Sequence, residues 1–277
     1  MTIDTRDALI SGLGNNNDRF LINKSSLSTQ VVGQYCSLWK AGTIPAAGSN
    51  PTTAAMCTKA LTGAIGFTNQ TGPATSYLAY LAMMFGTANT NLEIHDRLAH
   101  MGGLSATVLT AQTIGIDMTT INAGGAMPSD RMGAADYSDV MWWMEWYTTT
   151  GATASNATVN VTYSDGSTGN LTAFSVGGTA VAASQCRPLL PVTPGLFIRG
   201  LNNVTLSAST GTAGNFGFTA TRQRCAISGE TANRMYAFDW AQLGLPGVPN
   251  DSCLAGMLLS TATSTGTIIG QGKIVHG

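Results

Sequence analysis

The sequence predicts a mainly β protein, with an antiparallel, jelly-roll-like β-sandwich body and an N-terminal, partly helical arm. Composition is the first reason: Thr occurs 38 times and Gly 33 times in 277 residues, and these residues favour strands and tight turns. Spacing is the second: from residue 66 onward, short apolar segments are separated by turn residues at intervals typical of a sandwich. The third is a clear hairpin pattern at residues 156–176.

The N-terminal arm is predicted to span residues 1–65, and the β-sandwich domain residues 66–277. Ser25 is a candidate N-cap for a helix that ends at Gly42, and Asn50–Pro51 can open a second helix. The region has few large apolar residues for its length. Two alternatives therefore stay open: an arm that packs on another protein, or a helical cap on the same subunit.

The predicted body begins with two strands, at 76–86 and 92–103, around a turn. A Thr-rich, β-like segment follows at 105–120, and then a long loop at 121–136. In the hairpin, Val159, Val161 and Tyr163 alternate with polar residues before a turn at SDGSTG. The segment RPLLPVTPG (187–195) has three prolines, which excludes a central strand. Five further candidate strands follow it.

The most unusual segment is YSDVMWWMEWY at 137–147, which carries three of the five tryptophans. On a strand, Trp142, Met144 and Trp146 face one side, while Trp143, Glu145 and Tyr147 face the other. The first face is expected to fill the interior between two sheets. The second also needs a cover, because an aromatic face this large does not stay in water. The arm, the 121–136 loop or another subunit could supply it.

The charge content excludes several classes of function. Charged residues make up 10% of the chain and the net charge is −1, whereas an average soluble domain has roughly 25% charged residues. Binding to nucleic acid or to an anionic membrane is therefore not expected. No signal-peptide pattern is visible, and the apolar segment 77–85 is too short to cross a bilayer. A weakly charged surface of this kind favours association.

No catalytic or cofactor motif is evident, so the sequence predicts no enzyme, no cofactor and no metal. The best candidate is LEIHDRLAH at 92–100, but His95 and His100 are five residues apart and point to different sides of a strand or helix. Glu93 and His95 could share a strand face, but two ligands do not make a metal site. The five cysteines form no C-x-x-C pair and are expected to be reduced and buried.

A sugar-binding role is an alternative use of the aromatic segment. Trp142, Trp143 and Trp146 could form a stacking platform, as in carbohydrate-binding modules, if the rings were exposed beside polar partners. Packing in a core or a subunit interface is the commoner use of clustered tryptophans.

Several long stretches resemble virion-associated proteins of tailed bacteriophages, over about residues 10–277. They are SSLSTQVVGQYCSLWKAG, TNQTGPATSYLAYL, LEIHDRLAHMGGLS, YSDVMWWMEWYTTTGATASNATVNVTY, FIRGLNNVTLSASTGTAGNFGFTATRQR, FDWAQLGLPGVPNDSCL and GKIVHG. None of these stretches contains a chemical motif. The resemblance therefore points to a family and not to a reaction.

The resemblance implies a structural protein of the phage particle, located on the capsid surface and made in the cytoplasm of the bacterial host. A head cement or decoration protein fits the two-part organisation, with the major capsid protein as partner and self-association as a homotrimer. A tail, neck or baseplate component and a sugar-binding adhesin are the alternatives. The residues expected to bind partners are Leu27, Val31, Leu38, Trp39, Trp143 and Tyr147.

Overall fold

The computed structural model describes residues 2–25, 27 and 30–277, and in these residues the protein is mainly β. The helices are α1 (Arg6–Asn15), α2 (Ser129–Met132) and α3 (Trp240–Leu243). The strands are β1 (Asn17–Lys24), β2 (Tyr35–Ser37), β3 (Thr43–Ile44), β4 (Ala55–Met56), β5 (Ser76–Phe85), β6 (Thr90–Leu104), β7 (Gln112–Asp117), β8 (Met141–Thr148), β9 (Asn156–Tyr163), β10 (Thr168–Asn170), β11 (Phe174–Ser175), β12 (Gln185–Leu189), β13 (Ile198–Leu206), β14 (Asn215–Gly229), β15 (Met235–Asp239), β16 (Gly247–Val248), β17 (Leu254–Ser260) and β18 (Ile268–His276).

The chain forms two compact units, each built from separate stretches of sequence. Unit 1 consists of Met1–Gly48, Thr58–Asp96 and Gln223–Gly277, and unit 2 of Ser49–Cys57 and Arg97–Arg222. Each unit has its own apolar core between antiparallel strands, which confirms the predicted β-sandwich class.

Unit 1 has a sheet in the order β15-β5-β18-β1-β3, with β16 paired to β5. Its inner face supplies Phe20, Ile22, Leu81, Met83 and Ile274 to the core. Residues of β6 and β17, which pair with each other, supply Leu92, Ile94, Leu254 and Leu258 from the other side. Gly272 of β18 is required here, because a Cβ at this position would overlap the ring of Phe20. On the outer face of the same sheet, α1 packs Leu9 against Ala79 and Val275.

Unit 2 has a sheet in the order β10-β9-β13-β7, with β11 also paired to β9. Val159 and Val161 of β9 and Leu201 and Val204 of β13 are fully buried in its core. Strand β8, which pairs with β12 and with the first half of β14, contributes the opposing residues. The alternation read in the sequence at 156–163 therefore marks the strand that lies between β10 and β13.

Residues 1–65 do not form a separate arm, and the predicted boundary at residue 65 does not coincide with a boundary between the units. The reason is that β1 lies between β18 and β3 and buries Phe20 and Ile22 in the core of unit 1. The region is partly helical as predicted, but its helix is α1. The predictions of a helix at 25–42 and of a second helix over TTAAMCTKAL (52–61) were wrong: the described residues there form β2, β4 and irregular backbone.

Most of the strands predicted between residues 66 and 277 are present in the structure. The segments 76–86 and 92–103 correspond to β5 and β6, and the hairpin at 156–176 to β9 and β10 with β11 beyond them. Of the segment 105–120, only β7 is a strand.

The predicted loop at 121–136 is irregular except for one turn of helix, α2, in which Arg131 is buried. Its guanidinium donates to the carbonyls of Cys57 and Arg97. The proline-containing segment 187–195 runs as β12 to Leu189, where Pro188 lies opposite Trp143 of β8.

Candidate functional site

The aromatic segment is strand β8, and the apolar face predicted for it is confirmed. Trp142, Met144 and Trp146 are buried in the core of unit 2. The indole N–H of Trp142 donates to the carbonyl of Ile198 at 2.8 Å, which satisfies the polar edge of that buried ring.

The opposite face of β8 is buried as well, and it is covered within unit 2. Trp143 donates its indole N–H to the hydroxyl of Thr221 at 2.8 Å. The ring of Tyr147 lies against Gly102, where a Cβ would approach it to 2.8 Å. Glu145, between them, is 1% exposed. Residues of the same chain therefore cover the second aromatic face of β8.

A buried ion pair holds this polar face together. The guanidinium of Arg97 lies 2.7 Å from the Glu145 carboxylate and donates at 2.9 Å to the Tyr147 hydroxyl. Thr219 donates to the same carboxylate oxygen of Glu145. Burial and the Glu145 charge raise the pKa of Tyr147 well above its ordinary value. Burial lowers the pKa of Arg97, but the charge of Glu145, together with Tyr147 and Cys57 and the hydrogen bond to Glu145, raises it above its ordinary value overall. Arg97 is therefore a buried cation at neutral pH.

The candidate catalytic segment forms a second buried network, in unit 1. Glu93 and His95 share a strand face, as the spacing indicated, with Nε2 of His95 2.9 Å from the carboxylate. The Tyr35 hydroxyl donates to the other carboxylate oxygen at 2.9 Å. Burial raises the pKa of Glu93, but the hydrogen bonds from His95 and Tyr35 outweigh it and lower the pKa overall.

Asp96 is a further buried carboxylate on this strand in unit 1. It accepts from the Arg224 guanidinium at 3.1 Å and from the backbone N–H of Cys253 at 2.9 Å. The carboxylates of Glu93 and Asp96 thus accept hydrogen bonds from side chains and from the backbone inside unit 1. Among the residues that the structure describes, no cluster of three His, Cys, Asp or Glu side chains could hold a metal ion.

Four of the six residues predicted to bind partners are buried. Leu38, Trp39, Trp143 and Tyr147 are each at most 2% exposed, so these side chains do not present a surface to another molecule. The ring of Trp39 packs on Gly48, where no Cβ would fit.

The other two predicted residues are accessible. Val31 is exposed and Leu27 is half-buried against the core of unit 1. The predicted helix that would have carried Leu27, Val31, Leu38 and Trp39 does not form in the described residues of 25–42. The sugar platform of Trp142, Trp143 and Trp146 is also corrected, because all three rings are buried.

The structure instead exposes large apolar side chains on the outer face of the unit 1 sheet. Met235 lies opposite Met84, Met84 opposite Ile269, and both Ile269 and Ile44 lie opposite Asn23. Directly opposite residues of an antiparallel pair share a face. This cross-strand row therefore runs over β15, β5, β18, β1 and β3 of the sheet.

Leu21 extends the row along β1, two residues from Asn23 and on the same side of the strand. The exposed fractions are 55% for Leu21, 53% for Met235, 45% for Ile44 and 38% for Ile269. We call Leu21, Ile44, Met84, Met235 and Ile269 the outer patch. Clustered exposed apolar side chains of this kind mark interaction sites in soluble proteins.

Sequence reasoning missed the outer patch because β1 and β18 have apolar residues on both faces. In NDRFLINK, Leu21 lies between Phe20 and Ile22, and period-2 alternation does not say which of the three faces the core. Only the register with β18 and β3 identifies Leu21 as the outward residue.

The helices that the structure describes include none with the length and apolar character needed to cross a membrane. No protein-family model matches the sequence. No curated protein matches it either.

Solved structures of infectious bursal disease virus were found at low similarity. A structure of infectious bursal disease virus, Gx strain, shares 9% identity over 95% of this chain and 81% of that chain, with a TM-score of 0.18. The VP2 subviral particle of the same virus gives 9% identity, coverage of 94% and 79%, and a TM-score of 0.17. TM-scores this low do not establish a common fold.

Proposed function

We propose that this protein is a structural component of a tailed-phage virion, and specifically a capsid cement or decoration protein that stabilises the head by binding major capsid subunits. Two observations support the proposal. Stretches distributed over about residues 10–277 resemble virion-associated proteins of tailed phages. The outer patch supplies an apolar surface for a protein partner.

The outer patch is the observation that carries the proposal, because it exposes large apolar side chains on one face of a sheet. Its cross-strand row spans β15, β5, β18, β1 and β3, and its apolar residues are exposed by 38–55% at four positions. Complete burial of one such side chain contributes about 1.5–3 kcal/mol relative to full exposure. Covering the remaining exposed half of four side chains would contribute roughly 3–6 kcal/mol before the cost of association.

This magnitude fits a component of a regular shell better than an independent high-affinity binder. One copy would bind weakly, since association itself costs several kcal/mol. Many copies, each contacting neighbouring subunits and one another, gain from effective concentration without any stronger single contact. The low net charge of −1 also favours dense assembly, because the copies do not repel each other.

The test is binding of the purified protein to phage heads that lack it, measured by co-sedimentation. Leu21→Glu and Ile269→Glu place a carboxylate in the outer patch and are expected to reduce binding at least tenfold each. Leu109→Glu is the matched control, because Leu109 is 50% exposed but belongs to unit 2. Circular dichroism of each variant checks that the fold is retained.

Wild-type binding by both patch variants, with an unchanged fold, would remove the outer patch from the proposal. Electron microscopy with a gold-labelled antibody then distinguishes the head from the tail, neck or baseplate. Label on the tail would refute the cement assignment while keeping the virion role. Label on neither part would refute both.

A further inference from the structure

A cleft of about 440 Å³ lies on the outer face of the unit 1 sheet, beside the outer patch and not at its centre. The residues that line it are Leu13, Arg19, Ala79, Tyr80, Asp239, Trp240, Gln271, Gly272 and Lys273. Its volume lies in the range of roughly 300–1,000 Å³ in which small-molecule sites fall. Leu13 is in α1 and Trp240 is in α3, so helical residues form its walls and strands form its floor.

The strand register explains how the polar lining is assembled. Asp239 lies opposite Tyr80, Tyr80 opposite Lys273, and Lys273 opposite Arg19. These four side chains therefore form one cross-strand row over β15, β5, β18 and β1. Gln271 stands on the same face of β18, two residues from Lys273. The floor thus places two cations, one carboxylate, one amide and one phenol side by side.

Most of the hydrogen-bonding capacity in the cleft is unused by the described part of the chain. The ammonium of Lys273 donates once, to the carbonyl of Leu13 at 3.1 Å. Asp239 caps α3 through Oδ1 alone. Within the described residues, the side chains of Arg19 and Gln271 and the indole N–H of Trp240 have no hydrogen-bond partner. Arg has five N–H donors and Lys three, so donors exceed acceptors here by a wide margin.

The aromatic component of the cleft is also distinctive. The chain has five tryptophans, and Trp39, Trp142, Trp143 and Trp146 are all buried. Trp240 is half-buried and lines the cleft with Tyr80. An aromatic ring at the wall of an open cleft offers an apolar face and a polar edge to a ligand.

We propose that this cleft binds a saccharide unit that carries a carboxylate. Aromatic rings pack against the C–H faces of a pyranose, and amide, carboxylate and guanidinium groups bind its hydroxyls. The two cations against one carboxylate select a negatively charged ligand, and the Arg19 fork matches a carboxylate in a bidentate manner. This function is additional to the shell contact, because it uses different side chains from the outer patch.

The experiment is a titration of the full chain with D-glucuronate, N-acetylneuraminate and D-glucose, followed by tryptophan fluorescence and by ligand-observed NMR. Trp240 is the reporter, since the other four indoles are buried. We expect saturable binding of both acidic sugars, at least tenfold tighter than that of glucose. Arg19→Gln and Lys273→Gln are each expected to weaken binding at least fivefold, and the exposed Arg6→Gln of α1 is the matched control.

A Trp240→Phe variant distinguishes the role of Trp240 as fluorescence reporter from its role in binding the ligand. It is expected to lose the fluorescence response and to retain binding by NMR, because phenylalanine keeps a ring in the wall. The proposal is overturned by any of three results: no saturable binding of either acidic sugar, equal binding by wild type and both cation variants, or acetate competing as well as glucuronate. The last result would define a simple anion site.

Discussion

The substitution Glu145→Gln tests whether a buried ion pair holds the polar face of β8. In the wild type, the Glu145 carboxylate accepts from Arg97 at 2.7 Å and from Thr219, and both partners of the ion pair are at most 4% exposed. Glutamine keeps the shape of the side chain but removes its charge. Arg97 would then remain a buried cation that has lost the neighbouring carboxylate charge, while it still donates to the Tyr147 hydroxyl and to His100.

The magnitude follows from this geometry. Breaking a buried pair from one side costs about 3–5 kcal/mol, because an uncompensated charge stays inside the protein. The glutamine oxygen can still accept one hydrogen bond, which places the expected loss near the lower value. For a chain of this size each kcal/mol lowers Tm by roughly 2–4 °C. The expected decrease in Tm is therefore about 6–12 °C.

Urea unfolding followed by tryptophan fluorescence is the appropriate assay, since three of the five indoles belong to β8. Glu230→Gln makes the same chemical change at an exposed position and should leave the unfolding midpoint unchanged. The double variant Arg97→Met/Glu145→Gln should lose less than the two single variants together, with a coupling of about 0.5–3 kcal/mol. A loss below about 1 kcal/mol for Glu145→Gln, or additive single effects, would refute the role assigned to the pair.

Three further predictions concern other parts of the chain. Deletion of residues 1–60 removes β1 from the sheet of unit 1 and should abolish the fold of that unit, and a far-UV spectrum equal to that of the full chain would contradict this. Burial raises the pKa of Cys36 and of Cys225 to about 12, and all five cysteines are buried. We therefore expect that the native protein does not react with a thiol reagent at pH 8, and that five thiols react once urea unfolds it. Rapid labelling of the native protein would contradict this prediction. For Asp18, burial raises the pKa, but hydrogen bonds from Thr68 and the charge of His276 lower it overall. The ionised Asp18 therefore stabilises the fold above pH 3.8, and this contribution is lost as the pH falls through the lowered pKa. The difference in urea midpoint between wild type and Asp18→Asn should shrink over that interval, and a constant difference would refute it.

Local sequence patterns predicted the elements whose two faces differ in polarity. The alternation around Val159 and Val161 identified β9, because one face of that strand is wholly apolar. The apolar half of β8 followed from Trp142, Met144 and Trp146 in the same way.

The same patterns failed where burial depends on partners distant in sequence. Residues 1–65 have few large apolar side chains, but Phe20 and Ile22 acquire a core from β18, about 250 residues later. Trp143 and Tyr147 were assigned to a partner surface because another subunit was one of the covers that could bury this face. Their cover includes Thr221 and Gly102, which no local pattern connects to β8.

The outer patch and the cleft could not be predicted from the sequence for a related reason. Both are cross-strand rows, so they exist only once the register of β1, β5, β15 and β18 is known. Arg19 and Asp239 are separated by 220 positions and have no signature in the sequence that links them.

The position of β18 between β5 and β1 has a consequence for synthesis of the chain. A ribosome completes β5 roughly 10–40 s before it completes β18, at about 5–20 residues per second. During that interval the hydrogen-bonding edges of β5 and β1 that will receive β18 are open to any other extended segment. Unpaired edges of this kind recruit foreign strands. The nascent protein would thus be most vulnerable to aggregation just before its central strand emerges, and slower translation of residues 86–267 would lengthen that exposure.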